Sequence, residues 1–414
     1  MQGIILAAGE GKRVRPLTRS RPKALLPVAN RPIIGYVIEA LLKNGIRDIV
    51  VVVGYRKEQV IRFLNELDVP ITVVVQDKQL GTAHALNCAR SHITGDFLLL
   101  PGDNYIDHYS IGRIKDIRNA MLIKEHPSPS NFGVVLLKDG YVNRIIEKPE
   151  HSPSFMVSTG IFSLTRDFFS YISGNNITDT VSSMLASGEH LQAVVADDWQ
   201  DAIYPWDLLK MNMRLLKDLP EAREGSISRQ TIIHGPVRIG KGSTIGPNTV
   251  ITGPVIIGDD CDIGPNCCIM PNTSLGSRIK AEPFTFIGKS LIMDDTSIGS
   301  HSRIIDAVTG QGCRLGDHTT ISASACLMNI EGEVIKPEFG AVFGDQVTAG
   351  PFTTFTNCIV GNNVTIDGGS RIISRILPDE SKVIQRVRYC RLYWPEGSCP
   401  DHCRGAQETG IPGL

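Results

Sequence analysis

Apolar and polar residues divide this chain into two regimes with different periods. In the first, continuous apolar runs alternate with stretches of helical spacing. Ile4-Ile5-Leu6-Ala7-Ala8 reads as a buried strand, and 32–44 carries Ile33, Ile34, Val37, Ile38, Leu41 and Leu42 on one helix face, with Gly45 where a helix would stop. Ile49–Val53 is a β-branched run that predicts a strand buried on both faces, 58–67 predicts a helix, and Ile71–Val75 a third strand. Such alternation predicts a parallel, doubly wound sheet that binds its ligand across the carboxyl edge.

The second regime has a period of six. Ile233, Ile239, Ile245, Ile251, Ile257, Ile263, Ile269 and Leu275 follow one another without a break, with glycine after many of them and prolines at the intervening corners. Six residues per side and three sides per turn predict a parallel β-helix. The register slips near Ala281 and resumes as Ile292, Ile298 and Ile304, then Leu315, Ile321 and Leu327, then Val360, Ile366 and Ile372, so loops are expected between the blocks.

A chain of 414 residues with 42% hydrophobic content and a net charge of -1 fits a soluble globular protein with at least two cores. It gives no reason to expect nucleic acid or a membrane surface as partner. The first strand begins at once, without a basic and apolar leader, and a cytoplasmic location is the expectation. Six of the cysteines (Cys261, Cys267, Cys268, Cys313, Cys326, Cys358) fall among the hexads and are expected as reduced core thiols.

Chemistry concentrates at 9–27, GEGKRVRPLTRSRPKALLP, directly after the first strand. Gly9 and Gly11 let the backbone curl with its N–H groups inward, and Lys12, Arg13, Arg15, Arg19, Arg21 and Lys23 are expected to set positive charge around the same hollow. The expected guest is a polyphosphate. A third glycine of the dinucleotide fingerprint is missing, and so is a Walker pattern. Gln76, at the end of the third strand, could offer a donor and an acceptor to a pyrimidine edge or be a polar strand terminus. His84, in the helix-like stretch that follows, reads as a surface or packing residue. Phe97-Leu98-Leu99-Leu100 delivers Asp103 to the same edge, where a carboxylate suits Mg²⁺ together with phosphate oxygens.

LAAGEGKRVRPLT followed by RPKALLPVANRPII resembles the opening of the sugar-1-phosphate nucleotidylyltransferases. The hexads resemble the left-handed β-helix of the bifunctional N-acetylglucosamine-1-phosphate uridylyltransferases. The resemblance implies a Rossmann-like α/β domain with a mixed, mainly parallel sheet over 1–220, a linker at 221–230, a left-handed parallel β-helix over 231–376 and a tail at 377–414. It implies transfer of UMP or dTMP from UTP or dTTP to glucose-1-phosphate or N-acetylglucosamine-1-phosphate, with release of pyrophosphate. Arg13 and Lys23 would be catalytic, and Leu6, Ala7, Ala8, Gly9, Gly11, Gln76, Gly81 and Thr82 would hold the nucleotide. Gly133, Glu147, Lys148, Ser158, Thr159 and Gly160 would line the sugar pocket, with Ser158 where the family commonly has Asn. Asp103 and Asp201 would hold Mg²⁺.

Coils of this kind usually form trimers, so a homotrimer or higher homo-oligomer is expected. In the bifunctional relatives they also acetylate glucosamine-1-phosphate from acetyl-coenzyme A. Their histidine motif aligns here with Ser300, leaving His301 one position off, so the coil is expected to assemble or regulate rather than acetylate. A non-catalytic regulatory subunit is the other alternative, one that would be expected to have lost the cations and carboxylates retained here. Cys390, Cys399, His402 and Cys403 near the end do not follow a standard zinc spacing and leave a metal site or a docking tail open.

Overall fold

The computed structural model describes residues 1–330 and 333–385; Cys390, Cys399, His402 and Cys403 lie outside the described residues. Strands Ile71–Val75, Ile49–Val53, Gln2–Ala7 and Phe97–Pro101 lie side by side and parallel. Met156–Leu164 joins antiparallel to the last of these, and Ala120–Glu125, Gln192–Val195, Tyr141–Glu147 and Gly133–Lys138 complete a mixed sheet. Alternation along the strands explains their apolar character. Val51 and Val53 pack with Ile34 and Val37 of helix Ile33–Lys43 on one face, while Val50 and Val52 pack with Ala83 and Leu86 of helix Thr82–Cys88 on the other. No helix among the described residues is long and apolar enough to cross a membrane.

The hexads wind into the expected left-handed β-helix, whose three parallel sheets hold nine, nine and eight strands among the described residues. Its pairing begins earlier than expected. Ala222–Arg223 and Ser226–Ile227, inside the stretch read as a linker, already pair with the next turn, and Ile376–Leu377 and Lys382–Val383 continue the coil past 376.

Near Ala281 the coil shortens by one residue instead of admitting a loop. Ile245 pairs with Ile263, eighteen positions on, whereas Ile298 pairs with Leu315, seventeen on. Corner residues in the left-handed region mark the change: Asp260, Asn266, Asn272, Arg278 and Phe284 are six apart, and Lys289 comes only five later. A true excursion occurs at 323–340, which contains the hairpin Met328–Ile330 and Glu333–Ile335. Leu327, expected in the core, is therefore exposed, and Phe343 fills the coil instead. Cys261, Cys267, Cys313 and Cys358 are buried free thiols as expected, but Cys268 and Cys326 are only half-buried. Burial pushes the Cys313 thiol up to about 12, so it is inert at neutral pH.

The two halves share a core. Helix Asp207–Leu216 lies on one coil sheet, whose outward Leu291, Val308, Val342 and Ile359 belong to the same apolar cluster as Leu208 and Met211. Phe339 of the excursion stacks on Trp206, with ring centroids 4.8 Å apart. Asn212, fully buried at the seam, accepts from the Ala29 amide at 2.8 Å and from the Ser274 hydroxyl at 2.7 Å.

Candidate active site

The carboxyl ends of the parallel strands open onto a cleft of about 620 Å³. Leu6, Ala7, Ala8 and Gly9 line it from the first strand, and Gln76, Gly81 and Thr82 from the third strand and the helix after it. Gly133, Glu147, Lys148, Ser158, Thr159 and Gly160 form the opposite wall. Arg13, Lys23, Asp103 and Asp201 complete the lining. Of the expected site residues only Gly11 is missing from it.

Asp103 and Asp201, far apart in sequence, meet because Asn104–Ile106 and Trp199–Asp201 pair antiparallel, with Asn104 opposite Asp201. Both carboxylates reach the Lys23 ammonium, Asp201 Oδ1 at 2.6 Å and Asp103 Oδ2 at 3.1 Å. Lys23 is 7% exposed. Burial alone would pull its pKa down, but the charges of Asp103 and Asp201 and their hydrogen bonds outweigh this and raise it above the ordinary lysine value. Arg13, half-buried in the cleft lining, has no ion pair among the described residues.

The other cations of the loop do not face the cleft. Arg15 and Lys12 pair with Glu10, Arg19 with Asp379 and Arg21 with Asp345. The expectation of six cations around one hollow is corrected to two, Arg13 and Lys23. Gly11 is corrected as well. It has φ 68°, and a Cβ there would lie 2.9 Å from the Lys23 Cβ and 3.3 Å from the Thr18 methyl, so its missing side chain gives Lys23 room.

Gln76 is buried, and its amide nitrogen donates to the Gly81 carbonyl at 3.0 Å and contacts His84 Nδ1 at 2.9 Å. A carbonyl acceptor at Gly81 fixes the amide orientation, because two carbonyl oxygens would repel. With both amide hydrogens engaged, Gln76 presents an acceptor oxygen rather than the donor and acceptor pair expected. His84 is thereby more than a packing residue. Nothing in its local sequence reveals this, since the contact depends on the strand end turning back over the helix. His84→Ala should raise the KM for the triphosphate about tenfold by freeing the amide, with little change in kcat, as steady-state kinetics would show.

The opposite wall is built from a bulge. Pairing between Met156–Leu164 and Ala120–Glu125 is interrupted between Ser158 and Phe162. Thr159 is buried with its hydroxyl on the Leu122 carbonyl at 2.8 Å, so it lines the cleft without a free hydroxyl. The Thr82 hydroxyl oxygen, by contrast, accepts from the Ile177 amide at 3.0 Å. Ser158 Oγ accepts from the Gly160 amide at 3.1 Å. Gly133 pairs with Glu147, and the Lys148 amide donates to the Phe132 carbonyl, which holds the turn bearing both charges at the rim.

A larger cavity, about 1200 Å³, opens between the first turns of the coil and helix Asp207–Leu216. Its charges are largely matched internally, Arg214 with Asp198 and Asp218, Arg31 and Lys43 with Glu39. It does not share the chemistry of the cleft.

Comparison with known proteins matches residues 2–218 to a family described as nucleotidyl transferase and residues 251–369 to one described as GMPPB C-terminal domain. The bifunctional protein GlmU of Methanococcus maripaludis strain S2 is 36% identical over 408 residues, covering 93% of this chain and 98% of that protein. The low-salt glycan biosynthesis nucleotidyltransferase Agl11 of Haloferax volcanii is 33% identical over 336 residues, 76% of this chain and 94% of its own. From the same organism, the UTP–glucose-1-phosphate uridylyltransferase AglF is 34% identical over 244 residues, 54% of this chain and all of its own length (100%).

Proposed function

The chain belongs to the nucleotidyl transferase family, and on that premise we propose that it joins UTP or dTTP to glucose-1-phosphate or N-acetylglucosamine-1-phosphate and releases pyrophosphate. The observation that carries this reading is the cluster of Lys23, Asp103 and Asp201 in one cleft with Arg13, which has no ion pair among the described residues. A sugar-phosphate oxygen would attack the α-phosphorus while pyrophosphate leaves. Both reactants are polyanions, so the protein's task is to hold them in line and neutralise charge. Arg13 would hold the β and γ phosphates and Lys23 the α-phosphoryl group, and the Gln76 oxygen would accept from N3–H of uracil or thymine. Glu147 would accept from sugar hydroxyls and Lys148 would face the sugar phosphate.

Asp103 and Asp201 fit a divalent cation, Mg²⁺ in this reading: two hard oxygen donors already converge on one positive charge. Among the described residues no third acidic, His or Cys ligand joins them, which leaves the remaining coordination to substrate oxygens and water. When bound, the ion would neutralise phosphate oxygens.

The test is a pyrophosphate-release panel of four nucleoside triphosphates against four sugar phosphates, with and without EDTA. UTP or dTTP with one of the two named sugar phosphates should exceed GTP by about tenfold or more, and chelation should reduce turnover to background. Failure of every pair would overturn the reading.

A second reading, added acetyltransfer, is favoured by the full-length similarity to a protein named bifunctional. The residues at the corresponding place are differently used. Ser300 bonds Asp317, and His301 sits at a corner with φ 56°, its ring stacked between Phe284 at 4.8 Å and His318 at 5.0 Å. Thiol release from acetyl-coenzyme A with glucosamine-1-phosphate, run beside the panel, separates the two. The retained cations and carboxylates speak against a non-catalytic regulatory subunit.

A further inference from the structure

The segment joining Arg13 to Lys23 is held by the coil. Arg21 Nη2 lies 3.1 Å from each Asp345 oxygen and 3.4 Å from Gln311 Oε1, and the Ser20 hydroxyl donates to Asp345 Oδ2. Asn362 Nδ2 donates to the Pro16 carbonyl at 3.3 Å, and Asp379 pairs with Arg19 at 3.4 Å. Asp345, Asn362 and Asp379 are seventeen residues apart, one shortened turn, and so stack in a single column on one corner. With Gln311 on the turn before Asp345, four consecutive turns therefore contact residues 16, 19, 20 and 21. The segment's other side is also held, by Tyr55 Oη on the Thr18 and Arg19 carbonyls and by Gln59 on the Ser20 carbonyl.

The column is rigid in itself. The Gln311 amide donates to Asp345 Oδ1, the Asp345 amide to Asn362 Oδ1 and the Asn362 amide to Asp379 Oδ1, all at 2.8 Å. Asp259 and Asp294 occupy the same column and cap backbone amides in the same way, the Lys241 amide at 2.8 Å and the Ser277 amide at 2.9 Å. They have no contact with the loop. Asp345 therefore has a structural role shared with its equivalents and a second role of its own. The side chains of Arg21 and Asp345 are 18% and 14% exposed, dry enough that removing one charge leaves the other costly to keep.

We infer that Asp345 is a positioning residue for nucleotide binding, holding through Arg21 and Ser20 the segment whose two ends present Arg13 and Lys23. The coil is then part of the triphosphate site without touching the triphosphate. This rests on the proposed reaction for its kinetic readout, but the clamp itself is a matter of geometry.

Asp345→Asn keeps an oxygen for the Gln311 backbone N–H and replaces the charged acceptor that faces Ser20 and Arg21 with an amide donor. In the full chain it should raise the KM for the triphosphate roughly tenfold to a hundredfold with the KM for the sugar phosphate unchanged, and the uncompensated Arg21 charge should lower the melting temperature, which Arg21→Gln in the same chain should recover. Asp294→Asn, which alters the same column away from the loop, should leave both KM values at wild type. Arg21→Gln combined with Asp345→Asn should be no worse than either alone, the non-additivity of one shared contact. Hydrogen exchange over residues 12–23 should quicken in Asp345→Asn and not in Asp294→Asn. A triphosphate KM at the wild-type value in Asp345→Asn, or an equal rise in Asp294→Asn, would overturn the inference. If the wild-type protein joins no pair, the reaction has failed and the exchange measurement alone decides: unchanged protection in Asp345→Asn overturns the clamp, and lost protection upholds it.

Discussion

Lys23→Met should lower pyrophosphate release by about a thousandfold or more while leaving the protein folded. Methionine keeps the unbranched stem of the side chain out to about the lysine Cε and its fit beside Gly11, so the variant removes the ammonium and little else. The lysine is nearly buried, yet it keeps its proton because Asp103 and Asp201 stand at 3.1 and 2.6 Å. Removing it leaves two carboxylates facing each other. They are 39% and 22% exposed, so water and counter-ions can screen them, and the loss of stability should be about 1–3 kcal/mol. The same pair, freed of the ammonium, should bind a divalent cation no more weakly than before. Isothermal titration with the metal and single-turnover assays would separate the two functions: retained metal binding with lost turnover is the expected outcome, and near-normal turnover would contradict the role assigned to Lys23. The pKa shift fixes the pH behaviour. Because the folded value is raised, the lysine's contribution to stability is complete below the ordinary value of 10.5 and fades only as pH climbs through the higher one. Turnover should therefore show no loss of this charge on approaching the ordinary lysine range.

What could be read from the sequence was local. An uninterrupted β-branched run such as Ile49–Val53 can be buried on two faces only in a covered sheet, and a strict period of six has few solutions other than a coil. Lys23, Asp103, Asp201 and Gln76 were legible because each follows a strand end or a loop of recognisable pattern, and the sheet brings such ends to one edge. What could not be read depends on neighbours distant along the chain. Arg19 and Arg21 look like phosphate cations beside two glycines, and only the coil's corner, more than three hundred residues on, turns them away. His84 becomes the partner of Gln76 through the path of the chain around Gly81. The shortening from eighteen to seventeen residues per turn moves one corner by a single residue, which a hexad reading registers as a slip with no means of choosing between a tighter corner and a loop. Leu327 fits the hexad and is nevertheless exposed, because the chain leaves the coil at that turn and packs Phe339 on Trp206 instead.

Gly11→Ala should lower kcat/KM by about a hundredfold, although Gly11 does not line the cleft. The backbone there is left-handed, φ 68° and ψ 45°, so any L side chain carries strain of about 1–2 kcal/mol. Contact adds to this. The new methyl would sit 2.9 Å from the Lys23 Cβ, an atom fixed to its backbone that no rotamer change can withdraw, and 3.3 Å from the Thr18 methyl. Thr18 is itself tied to the Gly11 carbonyl through its hydroxyl at 2.8 Å, so the loop cannot open there without losing that bond. The short helix Lys23–Leu25 must therefore shift, and with it the ammonium that Asp103 and Asp201 hold. Gly9→Ala supplies the contrast, since a Cβ at Gly9 meets nothing within 4 Å and Gly9 does line the cleft. A loss at Gly9 would report the approach of a ligand, whereas a loss at Gly11 reports the placement of Lys23. The two are told apart by adding Lys23→Met to each. In the Gly11→Ala background the second substitution should cost only about a further tenfold, because the lysine is already misplaced; in the Gly9→Ala background it should retain its full effect of about a thousandfold. If Gly11→Ala matched the wild-type rate, Lys23 would not need the space that the missing side chain leaves.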